Sequence, residues 1–235
     1  MKLRTAVSLA CLSFASCTCE SVKSNDIKTS GLYALLEANA PGTGQVDLKA
    51  TLTLGQGSLT YLELAAGDAL TATVGPTTRA MSRKAAFGAT WYEAAFDGDA
   101  AETSLQIALT RQNDASAPES VVTLPAPFTF TAPMANASFP RSGAITLTWS
   151  GGGQADPMHV SARGACITSV DTDLSADSGT HTLAPFVAAS GTPSDSCDVA
   201  IALVRTRLGR VDPAYGKGGV FKATVQRSLT VRSTP

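Results

Sequence analysis

The chain holds two histidines, His159 and His181, and five cysteines, and these bound the acid–base and thiol chemistry open to it. A serine hydrolase of the α/β type would show a Gly-x-Ser-x-Gly elbow, and none is present. His159 stands seven residues before Cys166, the separation of a conceivable Cys–His pair. That thiol would be quenched, because Cys197 lies in the same region and the two form an even pair suited to an oxidising compartment. Two histidines cannot fill the four positions of zinc, and no spacing offers carboxylate help. Asp171, Asp173 and Asp177 with Gly179 suggest a calcium loop, yet an EF-hand needs glycine where Ala176 stands and glutamate where Thr182 stands. A looser calcium site could use these carboxylates or Asp97, Asp99 and Glu102, and turn-forming aspartates explain the same residues. Gly216-Lys217-Gly218 has no Ser or Thr after its lysine and is no phosphate loop. The expectation is a protein with no catalytic residue, no metal and no cofactor.

Aromatic side chains offer a second chemistry. Trp91 and Tyr92 are adjacent, so on a strand one of them faces away from the core, and Tyr215 lies in a glycine-rich loop. Exposed rings stack on sugars or partner side chains, which makes Trp91, Tyr92 and Tyr215 the candidate ligand-binding residues. Trp149 reads as core. The seven basic residues Arg205, Arg207, Arg210, Lys217, Lys222, Arg227 and Arg232 have only Asp212 among them, and could form an anion-binding face. Asp156, Asp171, Asp173, Asp177, Asp195 and Asp198 precede them, and mutual neutralisation across strands is the simpler expectation. With 16% charged residues and a net charge of −1, no global field favours nucleic acid or an acidic membrane face.

The elements that must position these residues are strands. Val46, Leu48, Ala50, Leu52 and Leu54 alternate with Asp47, Lys49, Thr51 and Thr53, a period of two that a half-buried strand requires. Leu62 and Leu64, then Leu70, Ala72 and Val74, then Tyr92, Ala94 and Phe96, then Leu105, Ile107 and Leu109 repeat it, with Gly or Asp turns between. The alanine-rich stretch 79–95 reads as a loop followed by a strand, given Gly88 and the alternation from Trp91 to Phe96. Pro125, Pro127 and Pro133 flank a short edge strand at 128–131 and mark a boundary. Beyond it, Ile145, Leu147 and Trp149, then Met158, Val160 and Ala162, then Val199, Ile201 and Leu203, and a final strand over 221–232 complete a second set. The fold class is all-β, two tandem immunoglobulin-like β-sandwich domains over residues 31–125 and 126–235. An internal echo supports two copies of one plan: Ile107-Ala108-Leu109-Thr110-Arg111 matches Ile201-Ala202-Leu203-Val204-Arg205.

The N-terminus reads as an export signal. Lys2 and Arg4 precede an apolar run over 6–15, shorter than the roughly 20 residues of a membrane span. Phe14-Ala15-Ser16-Cys17 resembles a bacterial lipobox, with Phe14 where leucine is usual. That resemblance implies cleavage after residue 16 and a lipid on Cys17, with Cys19 the competing anchor and a soluble secreted protein the plainer alternative. Thr18, rather than aspartate, after the anchor implies the outer membrane. Residues 17–30 are polar and read as a flexible tether. The two cysteines of the folded part, Cys166 and Cys197, are expected to form a disulfide.

Several phrases carry a family likeness. Tyr61-Leu62-Glu63-Leu64 followed by Gly67-Asp68-Ala69-Leu70, then Val122-Thr123-Leu124-Pro125-Ala126-Pro127-Phe128, Ile145-Thr146-Leu147-Thr148-Trp149 and Arg210-Val211-Asp212-Pro213, resemble bacterial envelope lipoproteins with tandem immunoglobulin-like domains. The resemblance implies an extracytoplasmic, non-catalytic module held to the membrane by its lipid, with another envelope protein or a glycan as partner. It transfers no activity. Trp149 precedes both cysteines, so the likeness to antibody domains is one of architecture only.

Overall fold

The computed structural model describes residues 20–191 and 194–235. Cys17 and the expected signal segment lie outside them. The chain is all-β. In the first half the strands are β1 (Glu20–Lys23), β2 (Tyr33–Ala40), β3 (Gln45–Thr53), β4 (Thr60–Glu63), β5 (Ala69–Val74), β6 (Thr77–Ala80), β7 (Ser82–Ala86), β8 (Ala89–Asp97), β9 (Ser104–Thr110) and β10 (Ala117–Thr123). In the second they are β11 (Phe130–Ala132), β12 (Ser138–Pro140), β13 (Ile145–Trp149), β14 (Met158–Gly164), β15 (Val170–Leu174), β16 (Thr180–Leu183), β17 (Cys197–Leu208) and β18 (Gly219–Thr234).

The alternation read in β3 is realised: Val46, Leu48, Ala50 and Leu52 are buried while Asp47, Lys49 and Thr51 face out. The first sandwich packs a sheet containing β7, β8, β3 and β2 against β10-β9-β5-β6. The second packs β18, β17, β14 and β15 against β11-β13-β16. Their buried apolar side chains form one cluster running from Leu32 to Val231.

The last strand belongs to both sandwiches. From Gly219 to Val225 it lies parallel to β2, while from Lys222 to Ser233 it pairs with β17, from Leu208↔Lys222 to Cys197↔Ser233. At its far end Arg232 to Thr234 lie parallel to β12. The division expected between residues 31–125 and 126–235 is therefore crossed by the sheet, and the first sandwich takes a strand from the C-terminal hairpin. Contacts seal the crossing. Gly209 approaches so near β10 that a β-carbon there would meet the Val121 carbonyl at 2.3 Å, and Arg210 exchanges backbone hydrogen bonds with Val121.

Two local expectations are corrected. Residues 20–30 are not a free tether: β1 lies parallel to β4, and two short 3₁₀ turns follow. Arg111 donates to the carbonyls of Ser24 and Ile27, and the Asp114 carboxylate accepts from the Thr29 amide at 2.6 Å. Polar composition concealed this, because most of the hold comes from hydrogen bonds to its backbone and through the hydroxyls of Ser24 and Thr29, with only Val22 and Ile27 packing on the core. The stretch 79–95 holds more strand than expected, with β6 and β7 ahead of β8. All their side chains are exposed, so no apolar alternation announced them.

Candidate functional site

His159 sits on the outer face of β14. Its Nδ1 is 2.8 Å from Asp173 and its Nε2 3.4 Å from Asp171, on the neighbouring β15. Arg163 donates two hydrogen bonds of 2.6 Å to Asp171. The Arg163 hydrogen bond, opposed by partial desolvation, holds the Asp171 carboxyl below its ordinary range. This is an open cross-strand array in which Asp173 is nearly fully exposed. Asp177 does not join it. Its side chain is 0% exposed, accepts a 2.8 Å bond from Trp149 Nε1 and is paired with Arg205. The three aspartates of the possible calcium loop thus divide between a surface array and the interior. In the first half Asp99 faces Arg227 and Glu102 faces Arg207. Among the described residues no group of three or more metal-ligating side chains gathers.

The aromatic candidates separate. Tyr92 is 3% exposed; its hydroxyl accepts the Leu64 amide at 2.8 Å, and burial pushes its pKa up. Tyr215 is 2% exposed, its pKa is raised by the same burial, and its hydroxyl has no hydrogen-bond partner among the described residues. A ring closed inside the core has no face to offer a ligand, so neither tyrosine fits the stacking role expected of it. Trp91 does keep a partly open face. Its Nε1 donates to Glu93, and Lys49 Nζ stands 5.3 Å from its ring centroid. Lys49 and Glu93 also line a groove of ≈ 630 Å³ between β6–β7 and the outer face of β3 and β8, together with Asp47, Arg79 and Lys84. Lys84 is the β7 residue directly opposite Trp91. An indole beside alternating carboxylates and ammonium groups can stack on an apolar ring face and hydrogen-bond the hydroxyls at its rim.

Apart from Lys217, the basic residues of the last hairpin are paired with carboxylates, and the pairing reaches both sandwiches. Arg207 holds Asp156 at 2.7 Å and Glu102 at 2.7 Å, and these hydrogen bonds push its pKa up. Arg227 faces Asp99, Arg210 faces Glu119, Lys222 faces Glu37 and Arg232 faces Asp198. Cys166 and Cys197 form the expected disulfide, with Cα atoms 5.7 Å apart. It ties the end of β14 to the start of β17 and fits an oxidising, extracytoplasmic setting.

Sequence reasoning passed over two features. One is Arg111, which the echo with Arg205 had marked without showing that both are buried. The other is the β7–β8 turn. Ala86 pairs with Ala89, leaving Phe87 and Gly88 as a two-residue turn with φ of +49° and +80°. Phe87 is fully exposed. The signal was the Phe-Gly dipeptide, where such a turn prefers Asn-Gly.

No family model matches the chain, and no curated protein does. Solved structures similar to it include a two-domain fibronectin type III segment of chicken tenascin, at 13% identity over 86% of this chain and 99% of that one, with a TM-score of 0.26. The Yersinia pseudotuberculosis adhesin InvE is 14% identical over 85% of this chain and 59% of its own, with a TM-score of 0.24. Fibronectin(III)-like modules of Clostridium thermocellum CbhA are 13% identical over 86% and 90%, also at 0.24. TM-scores this low carry no argument about function. Among the described residues no helix is long and apolar enough to cross a membrane, which says nothing of spanning by strands.

Proposed function

We propose that this chain is a non-catalytic module of the bacterial cell envelope, anchored through a lipid on Cys17 and directed to the outer membrane. The observation that supports it most is how the charged groups are spent. Buried Arg111 and Arg205 pair with buried aspartates, hairpin cations pair across the two sandwiches, and His159 lies open on a strand face. These groups brace a scaffold. Mass analysis of the mature N-terminus tests the anchor: a diacylglyceryl Cys17 is expected, and an unmodified Cys17 or a start beyond it overturns the reading.

A second reading is favoured by Trp91 and the groove beside it, lined by its neighbours Lys49, Lys84 and Glu93: an accessory protein that binds carbohydrate or peptidoglycan. The indole supplies the stacking face, and Glu93, Asp47, Lys49 and Lys84 supply hydrogen bonds to hydroxyl or acetamido groups. Retention on immobilised peptidoglycan that is lost in Trp91→Ala, with the fold intact by circular dichroism, is the expected result. Equal retention of both proteins removes it.

A further inference from the structure

The ends of the strands place the lipid and the most exposed aromatic residue together. Strand β3 runs from Gln45 to Thr53, and β8 runs against it, with Gln45 opposite Asp97 and Ala50 opposite Tyr92. The start of β8 and the turn Phe87–Gly88 therefore project beyond the Thr53 end of the sheet. At that same end Thr53 pairs with Tyr61, and the Leu54 amide donates to the Thr60 carbonyl at 3.3 Å. Glu20 is opposite Thr60 in the parallel β1–β4 pair. Glu20 thus lies at the end of the sheet where Phe87 projects. Glu20 is three positions beyond Cys17, a reach of at most about 11 Å.

What this end exposes fits a bilayer. Phe87 is 101% exposed and is flanked by Ala85, Ala86 and Ala89. Leu59, 46% exposed, sits in the β3–β4 connection at the same end. Behind them come the partly exposed rings of Tyr61 and Trp91, the order of an apolar tip with an interfacial aromatic belt. Lys84 on the hairpin and Lys217, whose amide donates to the Leu32 carbonyl beside the start of β2, add cations suited to anionic headgroups.

We propose that the Phe87–Gly88 turn, with Leu59, inserts into the interface of the bilayer that holds the lipid on Cys17, so that the sandwich stands on the membrane at two points. The inference rests on the Cys17 reading. The occupant is a phospholipid surface, because about 11 Å of chain allows the domain no distance from it. The lipid retains the protein, and the inserted ring fixes its orientation, with the second sandwich directed away. Met134, 78% exposed, marks the far side: the neighbouring Asn136 amide bonds to the Thr230 carbonyl, and Thr230 lies eleven residues, roughly 35 Å of strand, beyond Gly219.

The full chain, exported and processed from its own leader, is reconstituted into vesicles of phosphatidylethanolamine and phosphatidylglycerol with brominated acyl chains. Phe87→Trp and Met134→Trp are each compared with the parent protein. Both sites are exposed, so neither change threatens folding. The expected result is flotation with the vesicles, a blue-shifted added emission from F87W that is largely lost to bromine quenching, and no added quenching from M134W. Flotation with F87W no more quenched than M134W overturns the inference alone, as does quenching of both alike, which would mean a body lying flat. Failure to float overturns the Cys17 reading and takes this inference with it.

Discussion

Arg111 and Arg205 are 94 residues apart, each closes an Ile-Ala-Leu-x-Arg phrase, and each is buried against an aspartate. Arg205 pairs with Asp177 at 2.5 Å and donates to the carbonyls of Ala126 and Gly151, with its guanidinium 5.1 Å from the Phe128 ring. Arg111 places Nε 2.7 Å from Asp68 and reaches Thr29 and the carbonyls of Ser24 and Ile27. The echo is thus one device used twice: an arginine just past the end of β9, and another three residues before the end of β17, gathers a loop or an incoming segment onto its sandwich.

Breaking one side of the Arg205–Asp177 pair leaves an uncompensated charge in the interior. Asp177→Asn or Arg205→Ala is expected to lower unfolding stability by about 3–5 kcal/mol, read by urea denaturation. The double change Arg205→Met with Asp177→Leu is expected to cost distinctly less, because no lone charge remains. Equal losses in single and double variants would show that packing, not charge, sets the penalty.

The N-terminal clasp predicts an acid-sensitive segment. Burial pushes the Asp68 pKa up, but bonds from Ser24 and Gln112 and the charge of Arg111 outweigh it, so the net shift is downward. Asp114 is lowered chiefly by the Thr29 amide. Groups with depressed folded pKa values contribute stability that is complete above their unfolded value of 3.8 and is lost as pH falls through the lower folded values. Protection of the amides in residues 20–31, referred to intrinsic exchange at each pH, is expected to fall below about pH 4. Arg111→Met is expected to open the same residues at neutral pH.

Phe87 occupies left-handed backbone, where a bulky residue is strained and asparagine is at home. Phe87→Asn is expected to raise stability in detergent-free buffer by about 0.5–1 kcal/mol, measured by thermal denaturation. A loss of stability would show that the ring has packing partners in solution.

The disulfide closes a separation of 31 residues. Cys166→Ser with Cys197→Ser is expected to cost about 3–4 kcal/mol on the chain-entropy estimate, concentrated in the second sandwich. Tyr215→Phe is expected to be neutral or stabilising by up to about 1 kcal/mol, because the hydroxyl it removes is buried without a partner among the described residues.

Much of this was legible one residue at a time. Alternation such as Val46 to Leu52 specifies a strand and its inner face, because neighbouring side chains must point to opposite sides of a sheet. The cysteine pair and the core position of Trp149 followed from composition and burial alone. The strands β6 and β7 were not legible, since with both faces in water they leave no periodic apolar signature.

What the sequence by itself determined was therefore local: which segments are strands, which side of each is apolar, and that Trp91 and Tyr92 face opposite ways. Only tertiary structure decided which aspartate met which arginine, and that β18 would serve both sandwiches through β2. Those outcomes depend on strand register and on partners up to 187 positions away, as between Arg227 and Ala40. Period two marks the faces of a strand but carries no information about its neighbour, and the neighbour sets the chemistry of every face.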